Sequence, residues 1–123
     1  MTDTFEAQGA VIGIGLLAAV LVMGFGVVNE TIAGVDTMVV AMWIFAGTFA
    51  TISLLHAAVG QYNFAWGHGG AAFGWGLVLV GSSGFQTGLG LLLLVLSGGY
   101  IALLSRRSEH AMPAADIEQN NAP

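Results

Sequence analysis

Two histidines, His56 and His68, are the residues of this sequence whose side chains most directly suggest chemistry. An imidazole binds metal ions or haem, and because it titrates near neutral pH it also relays protons. The sequence has no cysteine, and no carboxylate lies near either histidine along the chain, so a metal site would lack ligands. We predict no bound metal or cofactor. Hydrogen bonding at helix ends is the expected role of both histidines, and a proton relay is the alternative.

The composition indicates the solvent in which these residues work. Of 123 residues, 56% are hydrophobic and 7% are charged, and the mean hydropathy is +0.84. A soluble domain carries roughly 25% charged residues, so the natural solvent of this chain is the lipid bilayer. The net charge is −5 and lysine is absent, which excludes a basic groove for nucleic acid. Acid-rich, lysine-free ends resemble the composition of proteins from salt-adapted archaea.

The apolar runs predict an all-α integral membrane bundle of four transmembrane helices within residues 7–105. Each run approaches the ~20 residues that cross the hydrocarbon of a bilayer. The predicted helices cover residues 7–28, 36–59, 67–81 and 88–104, between an N-terminal tail of residues 1–6 and a disordered polar tail of residues 106–123. Three helices are the alternative, with one interrupted span over residues 67–104. Four is preferred because Ser82-Ser83-Gly84 is a poor helix interior.

Asp36 lies at the start of the second predicted helix, and the next formal charge along the chain is Arg106. A carboxylate at that position accepts hydrogen bonds from free N–H groups and lies at the positive end of the helix dipole, so a helix cap is its expected role. Arg106 and Arg107 predict a cytoplasmic C-terminus, and four spans then place the N-terminus there too. We therefore expect a multi-pass protein of the cell membrane with both termini cytoplasmic.

The chain contains 19 glycines, and several are spaced four residues apart within the predicted helices. Small residues at this spacing let helix backbones approach closely, either within a bundle or between subunits. The pairs are Gly9 with Gly13 and Gly70 with Gly74. The alternative is that Gly13 and Gly74 leave room for a narrow path between helices.

No charged residue is predicted inside the bilayer, since Asp36 lies at the mouth of its helix, and this argues against several classes of membrane protein. An ion-coupled pump with a buried carboxylate and a small multidrug transporter both need an acid inside the bilayer. The sequence also lacks a Ser-His-Asp set, a phosphate-binding loop and a metal motif. We therefore predict that the protein is not an enzyme and has no catalytic residues.

The stretch GVDTMVVAMWIFAG, residues 34–47, resembles a motif close to LDGxxLAMGIFYGG at the start of the second helix in the acetate uptake transporter family. The matching residues are Asp36, Ala41, Met42, Ile44, Phe45 and Gly47. The family's NPAPLGL motif has a reduced counterpart in residues 8–14, where Gln8 replaces the asparagine and both prolines are absent. Downstream, Phe73-Gly74 corresponds to the family's Tyr-Gly, and Asn63 matches an asparagine in the preceding loop.

The resemblance implies a transporter that moves acetate or succinate with protons and assembles into rings, with a pore and an apolar constriction in each protomer. By position, Phe73 would contribute to the constriction, with Leu17 or Ile14 opposite. The family's protomer has six helices and this chain has room for four, so a complete pore would need a neighbouring chain. The candidate pore residues are Phe73, Leu17, Ile14, Gly13 and Gly74, and the candidate pore-mouth residues are Asp36, Gln8 and Asn63.

Two functions are therefore expected from the sequence. The first is a transporter or channel for acetate or a similar small monocarboxylate, a small organic acid that crosses in its protonated form. The alternative is a non-transporting accessory or assembly subunit of a membrane complex. A haem-bearing electron-transfer subunit, using His56 and His68, is a more distant third. Either of the first two implies a homo-oligomer or a membrane-protein partner in the lipid bilayer.

Overall fold

A computed structural model gives the architecture of the chain as four α-helices and one short β-hairpin. It describes residues 2–120, and the side chains of residues 6–108. The elements are α1 (Thr2–Gly26), β1 (Thr31–Ile32), β2 (Val35–Asp36), α2 (Thr37–Ala58), α3 (Tyr62–Val80) and α4 (Gly84–Asn120). The protein is an all-α membrane bundle, as the apolar runs predict.

The helices extend beyond the predicted boundaries at four places. The predicted N-terminal tail is already helical from Thr2, α3 begins at Tyr62 instead of residue 67, and α4 begins at Gly84 instead of residue 88. The tail predicted to be disordered is helical as far as Asn120, the last residue that the structure describes. Extending an existing helix fixes only one more residue per hydrogen bond, whereas a new helix must first form a costly turn. Polar residues next to an apolar helix therefore continue it.

Three helical segments are long and apolar enough to cross a membrane: Glu6–Gly26, Thr37–Ala58 and Gly84–Ser108. Helix α3 is not among them, although its 19 residues extend over about 28 Å at 1.5 Å per residue. It packs against both α2 and α4, and loops of three residues, 59–61 and 81–83, join it to them. Helix α3 is therefore packed between α2 and α4 along most of its length.

The helices pack in the order of the chain, α1 on α2, α2 on α3 and α3 on α4. Neighbours run antiparallel, as the contacts between α1 and α2 indicate: Gly26 lies against Thr37, and Gly15 lies against Thr48. Within residues 2–120, no extensive contact joins α1 to α3 or to α4. The bundle is therefore an open row with two free edges, and the start of α1 lies at the same end as the α2–α3 turn.

Small residues form the interior of this row, and large apolar residues cover its outside. The buried apolar residues are Ala19, Ala41, Ala46, Ile52, Ala65 and Ala71. By contrast, Ile14, Leu54 and Val95 are each about 70% exposed. Lipid solvates large apolar side chains as well as a protein core does, so helices in a bilayer associate through small residues that allow close backbone contact.

The two predicted glycine pairs behave differently in the structure. A Cβ atom built on Gly74 would lie 2.9 Å from the carbonyl oxygen of Gly90, and one built on Gly90 would lie 2.7 Å from that of Gly74. Helices α3 and α4 are therefore in backbone contact at this point. A Cβ atom built on Gly9 or on Gly13 would have no atom of the described residues within 4 Å. This pair therefore faces outward from α1.

The connection between α1 and α2 contains a β-hairpin. Ala33 and Gly34 form its two-residue turn and both have positive φ, 52° and 82°, which is the pattern of a type I′ turn. The buried hydroxyl of Thr37 donates to the carbonyl oxygens of Asn29, at 2.8 Å, and Glu30, at 2.6 Å. These bonds hold the hairpin against the first turn of α2.

Candidate functional site

The two histidines meet between α2 and α3, close to the turn that joins these helices. His56 is 5% exposed and His68 is 7% exposed, and their ring centroids are 5.1 Å apart with the planes at 25°. The ring of Phe64 stacks on His56 at 5.3 Å, and the ring of Phe49 lies 6.2 Å from His68. Phe64, His56, His68 and Phe49 thus form a continuous four-ring stack along the helix interface.

Hydrogen bonds fix the orientation of both imidazoles. Nδ1 of His68 lies 2.9 Å from the carbonyl oxygen of Phe64, and Nδ1 of His56 lies 2.8 Å from Oε1 of Gln61. Both partners are acceptors, so each Nδ1 carries the hydrogen and each neutral ring keeps a lone pair on Nε2. Nε2 of His56 is buried and has no hydrogen-bond partner among the residues that the structure describes.

The α2–α3 turn explains why Gln61 reaches back to His56. Gly60 has φ of 77°, and its N–H donates to the carbonyl oxygen of Ala57. The N–H of Gln61 donates to the carbonyl oxygen of His56 at 2.8 Å. These two bonds, with a glycine in the left-handed region between them, are a Schellman motif. The motif returns the chain over the last turn of α2 and so places the Gln61 side chain beside the imidazole.

Further uncharged polar groups lie on both sides of α3. Ser53 Oγ donates to the carbonyl oxygen of Ala65 at 2.8 Å, and the buried Ser97 of α4 lies against Gly70. Sequence reasoning missed Gln61, Ser53 and Ser97. One signal was available, because Ser53 precedes His56 by three residues, a spacing that places both side chains on the same face of a helix.

An open pocket of about 400 Å³ lies at the α2–α3 turn, next to the four-ring stack. Its lining residues are Gly60, Gln61, Tyr62, Asn63, Phe64 and Leu104. Gln61 and Phe64 line this pocket and also contact His56. The buried imidazole is therefore separated from the pocket by these two side chains.

The structure does not bring the predicted constriction residues together within one chain. Phe73 is 64% exposed on α3, and Leu17 and Ile14 are 60% and 69% exposed on α1. Helix α2 lies between these two helices in the row. Gly13 faces outward, whereas Gly74 is buried against α4. A constriction formed by Phe73 and Leu17 or Ile14 therefore requires two copies of the chain.

The predicted pore-mouth residues lie at opposite ends of the bundle. Asn63 lines the pocket at the α2–α3 turn, and Gln8 lies near the start of α1, at the same end. Asp36 lies at the other end, where its carboxylate accepts hydrogen bonds from the N–H groups of Met38, at 2.8 Å, and Val39, at 3.3 Å. Asp36 is thus the N-cap of α2 and also lines a second open pocket of about 450 Å³ together with Glu30.

The described side chains contain no group of three or more histidine, cysteine, aspartate or glutamate residues placed to hold a metal ion. His56 and His68 alone supply two ligands, fewer than a structural or catalytic zinc site uses.

No protein-family model, curated protein or solved structure matches the chain. The likeness to the acetate uptake transporter family thus rests on the quoted residues, and the candidate site rests on the geometry of the four-ring stack.

Proposed function

We propose that this membrane-embedded protein passes a small monocarboxylic acid, such as acetic acid, across the cell membrane in its uncharged form. The observation that carries the proposal is the chemistry of the buried polar side chains. They are hydroxyl and imidazole groups, with no carboxylate, ammonium or guanidinium among the buried residues described: Thr37, His56, His68 and Ser97. A neutral acid needs only hydrogen bonds along its route, whereas an anion would meet a large desolvation cost without compensating charge.

In this proposal, the neutral acid crosses the membrane between two copies of the chain. Its support is that Phe73 and Leu17 face outward and that the row of helices has two free edges. A second chain packed on such an edge would enclose a path that one chain leaves open. The family resemblance, which implies ring-shaped assemblies, points in the same direction.

The proposed orientation places both ends of the chain in the cytoplasm. Arg106 and Arg107 follow the apolar part of α4, and the antiparallel order of the helices puts the start of α1 at that same end. Positive residues favour the cytoplasmic side of a membrane. The pocket beside Gln61 then opens toward the cytoplasm, and the hairpin and Asp36 face outside.

A second candidate function is that of a non-transporting subunit in a larger membrane complex. The open row favours it, because free helix edges and outward glycines such as Gly13 suit a different membrane protein as well as a second copy. Purification in mild detergent distinguishes the two: a stable partner of different mass supports the accessory role, and a homo-oligomer supports the transporter.

Uptake of labelled acetate into liposomes containing the purified protein tests the proposal. We expect uptake above that of empty liposomes, and a decline as external pH rises above the ordinary carboxylic acid pKa of about 4, because the protonated form becomes scarce. Phe73→Ala should raise uptake severalfold by widening the constriction. The matched control is Phe85→Ala, an exposed aromatic residue at the first turn of α4, which should leave uptake unchanged. If the folded, oligomeric protein gives no acetate uptake above that of empty liposomes, the result supports the accessory role instead.

A further inference from the structure

The four-ring stack has a feature that passage of a neutral acid does not require: two basic nitrogens side by side in the interior of the bundle. We propose that His56 and His68 form a buried proton-binding pair, which takes up one proton from the pocket at the α2–α3 turn. This inference is independent of transport, since the pair binds a proton whether or not an acid crosses the membrane.

The hydrogen-bonding pattern leaves the proton-accepting atoms free. Gln61 and the carbonyl oxygen of Phe64 occupy both Nδ1–H groups, so the lone pair of each neutral ring is on Nε2. Nε2 of His56 has no partner within the described part of the chain, although only 5% of the residue is exposed. A buried acceptor without a partner is unfavourable, and ionisable groups inside membranes usually mark a functional site.

Burying an imidazolium in an apolar interior costs free energy, and three features of the surroundings of His56 offset part of that cost. His56 lies in the last turn of α2, where the negative end of the helix dipole attracts an imidazolium. Its Nδ1–H bond to Gln61 becomes charge-assisted, and therefore stronger, when the ring is protonated. The face of Phe64, 5.3 Å away, adds a cation–π interaction.

The pair holds one proton instead of two, because the ring centroids are only 5.1 Å apart and two charges at that distance repel strongly in an apolar interior. Among the described side chains, the charged groups at this end of the bundle are Glu6 on α1 and Arg106 and Arg107 on α4, and all three are exposed. Tyr62 on α3 and Tyr100 on α4, the latter against Gly67, are the other titratable groups nearby.

The proton enters through the side chains that separate the pocket from His56. Gln61 is exposed and Phe64 is half-buried, so movement of these two side chains would expose the imidazole to a hydronium ion from the pocket. One O–H bond of the hydronium breaks as the Nε2–H bond forms, which leaves a water molecule and an imidazolium. Release reverses these two changes.

Nitrogen NMR of the full chain in lipid nanodiscs tests the pair directly. The protein is labelled with ¹⁵N-histidine in a His110→Gln background, which leaves only His56 and His68 to observe. At alkaline pH we expect both rings as the Nδ1–H tautomer. On acidification, both signals should move together as one proton per chain is bound. His56→Phe, which keeps the stacked ring, should shift the titration midpoint of His68 by about one pH unit or more.

A matched pair of variants tests the role of Gln61. Gln61→Leu removes the acceptor for Nδ1–H of His56, so both neutral tautomers of His56 should appear. Gln86→Leu, at the α3–α4 turn where Gln86 accepts from Ser82, should change neither histidine. If His56→Phe does not fold, His56→Gln replaces it. The proposal is overturned if each histidine binds its own proton independently, if His56 is an Nε2–H tautomer at alkaline pH, or if removing His56 leaves the titration of His68 unchanged.

Discussion

Replacing Gly74 by alanine perturbs the point at which the backbones of α3 and α4 touch. The added Cβ atom would lie 2.9 Å from the carbonyl oxygen of Gly90 and 3.1 Å from Cγ of Leu94. Ordinary van der Waals contact begins at 3.4 Å, so the first contact is about 0.5 Å too short. Because the atom it meets belongs to the backbone of α4, the two helices must move apart. Overpacking of this kind costs about 1–3 kcal/mol.

A control at Gly76 separates the clash from the general effect of alanine in a helix. Gly76 lies two residues further along α3, and a Cβ atom there would have no neighbour within 4 Å. Alanine at a helix position with such free space is favoured over glycine by up to about 1 kcal/mol. We therefore expect Gly76→Ala to be as stable as the unaltered protein or more stable, and Gly74→Ala to be about 1–3 kcal/mol less stable.

Equilibrium unfolding in detergent micelles with increasing dodecyl sulfate, followed by circular dichroism, measures the difference. The reciprocal variant Gly90→Ala should be destabilised similarly, since its Cβ would lie 2.7 Å from the Gly74 carbonyl oxygen. The double variant should lose less than the two single losses combined, because the helices separate only once. Equal stability of Gly74→Ala and Gly76→Ala would refute the close contact between α3 and α4.

The hairpin end of the bundle provides two further predictions, measured by the same unfolding experiment. Asp36→Ala should lower the free energy of unfolding by about 1 kcal/mol, whereas Asp36→Asn should be nearly neutral because its amide oxygen still accepts from the N–H groups of Met38 and Val39. Equal losses in both variants would assign the effect to the charge and not to the cap. Ala33→Asn should raise the free energy of unfolding by about 1 kcal/mol, since asparagine accepts positive φ before Gly34 more readily than alanine does. Unchanged or lower stability would argue against a type I′ turn.

The number and order of the helices could be predicted because hydropathy is a local property of the chain. The cap at Asp36 could be predicted for the same reason, since its hydrogen bonds reach only residues 38 and 39. The boundaries were less accurate. Residues 2–6 and the segment after Leu104 are polar, and yet they continue α1 and α4, because extension of a formed helix does not depend on apolar composition.

The candidate site could be predicted only in part. His56 and His68 stand out as residue types, and their positions at the end of one helix and the start of the next place them near each other. The sequence did not indicate that their rings stack 5.1 Å apart or that Gln61 binds Nδ1 of His56. Both features depend on the Schellman motif at Gly60 and on the rotation of α2 relative to α3.

The sequence by itself therefore determined the solvent of this protein, the existence of its helices and the cap of α2. Only the tertiary structure decided which helix faces meet. The pairs Gly9/Gly13 and Gly70/Gly74 have the same spacing, but the first faces outward and the second packs against α4. The physical reason is that these helices are apolar on most sides, and in lipid no hydrophobic stripe marks the inward face. The choice depends on backbone contacts summed over neighbouring helices, which no local segment contains.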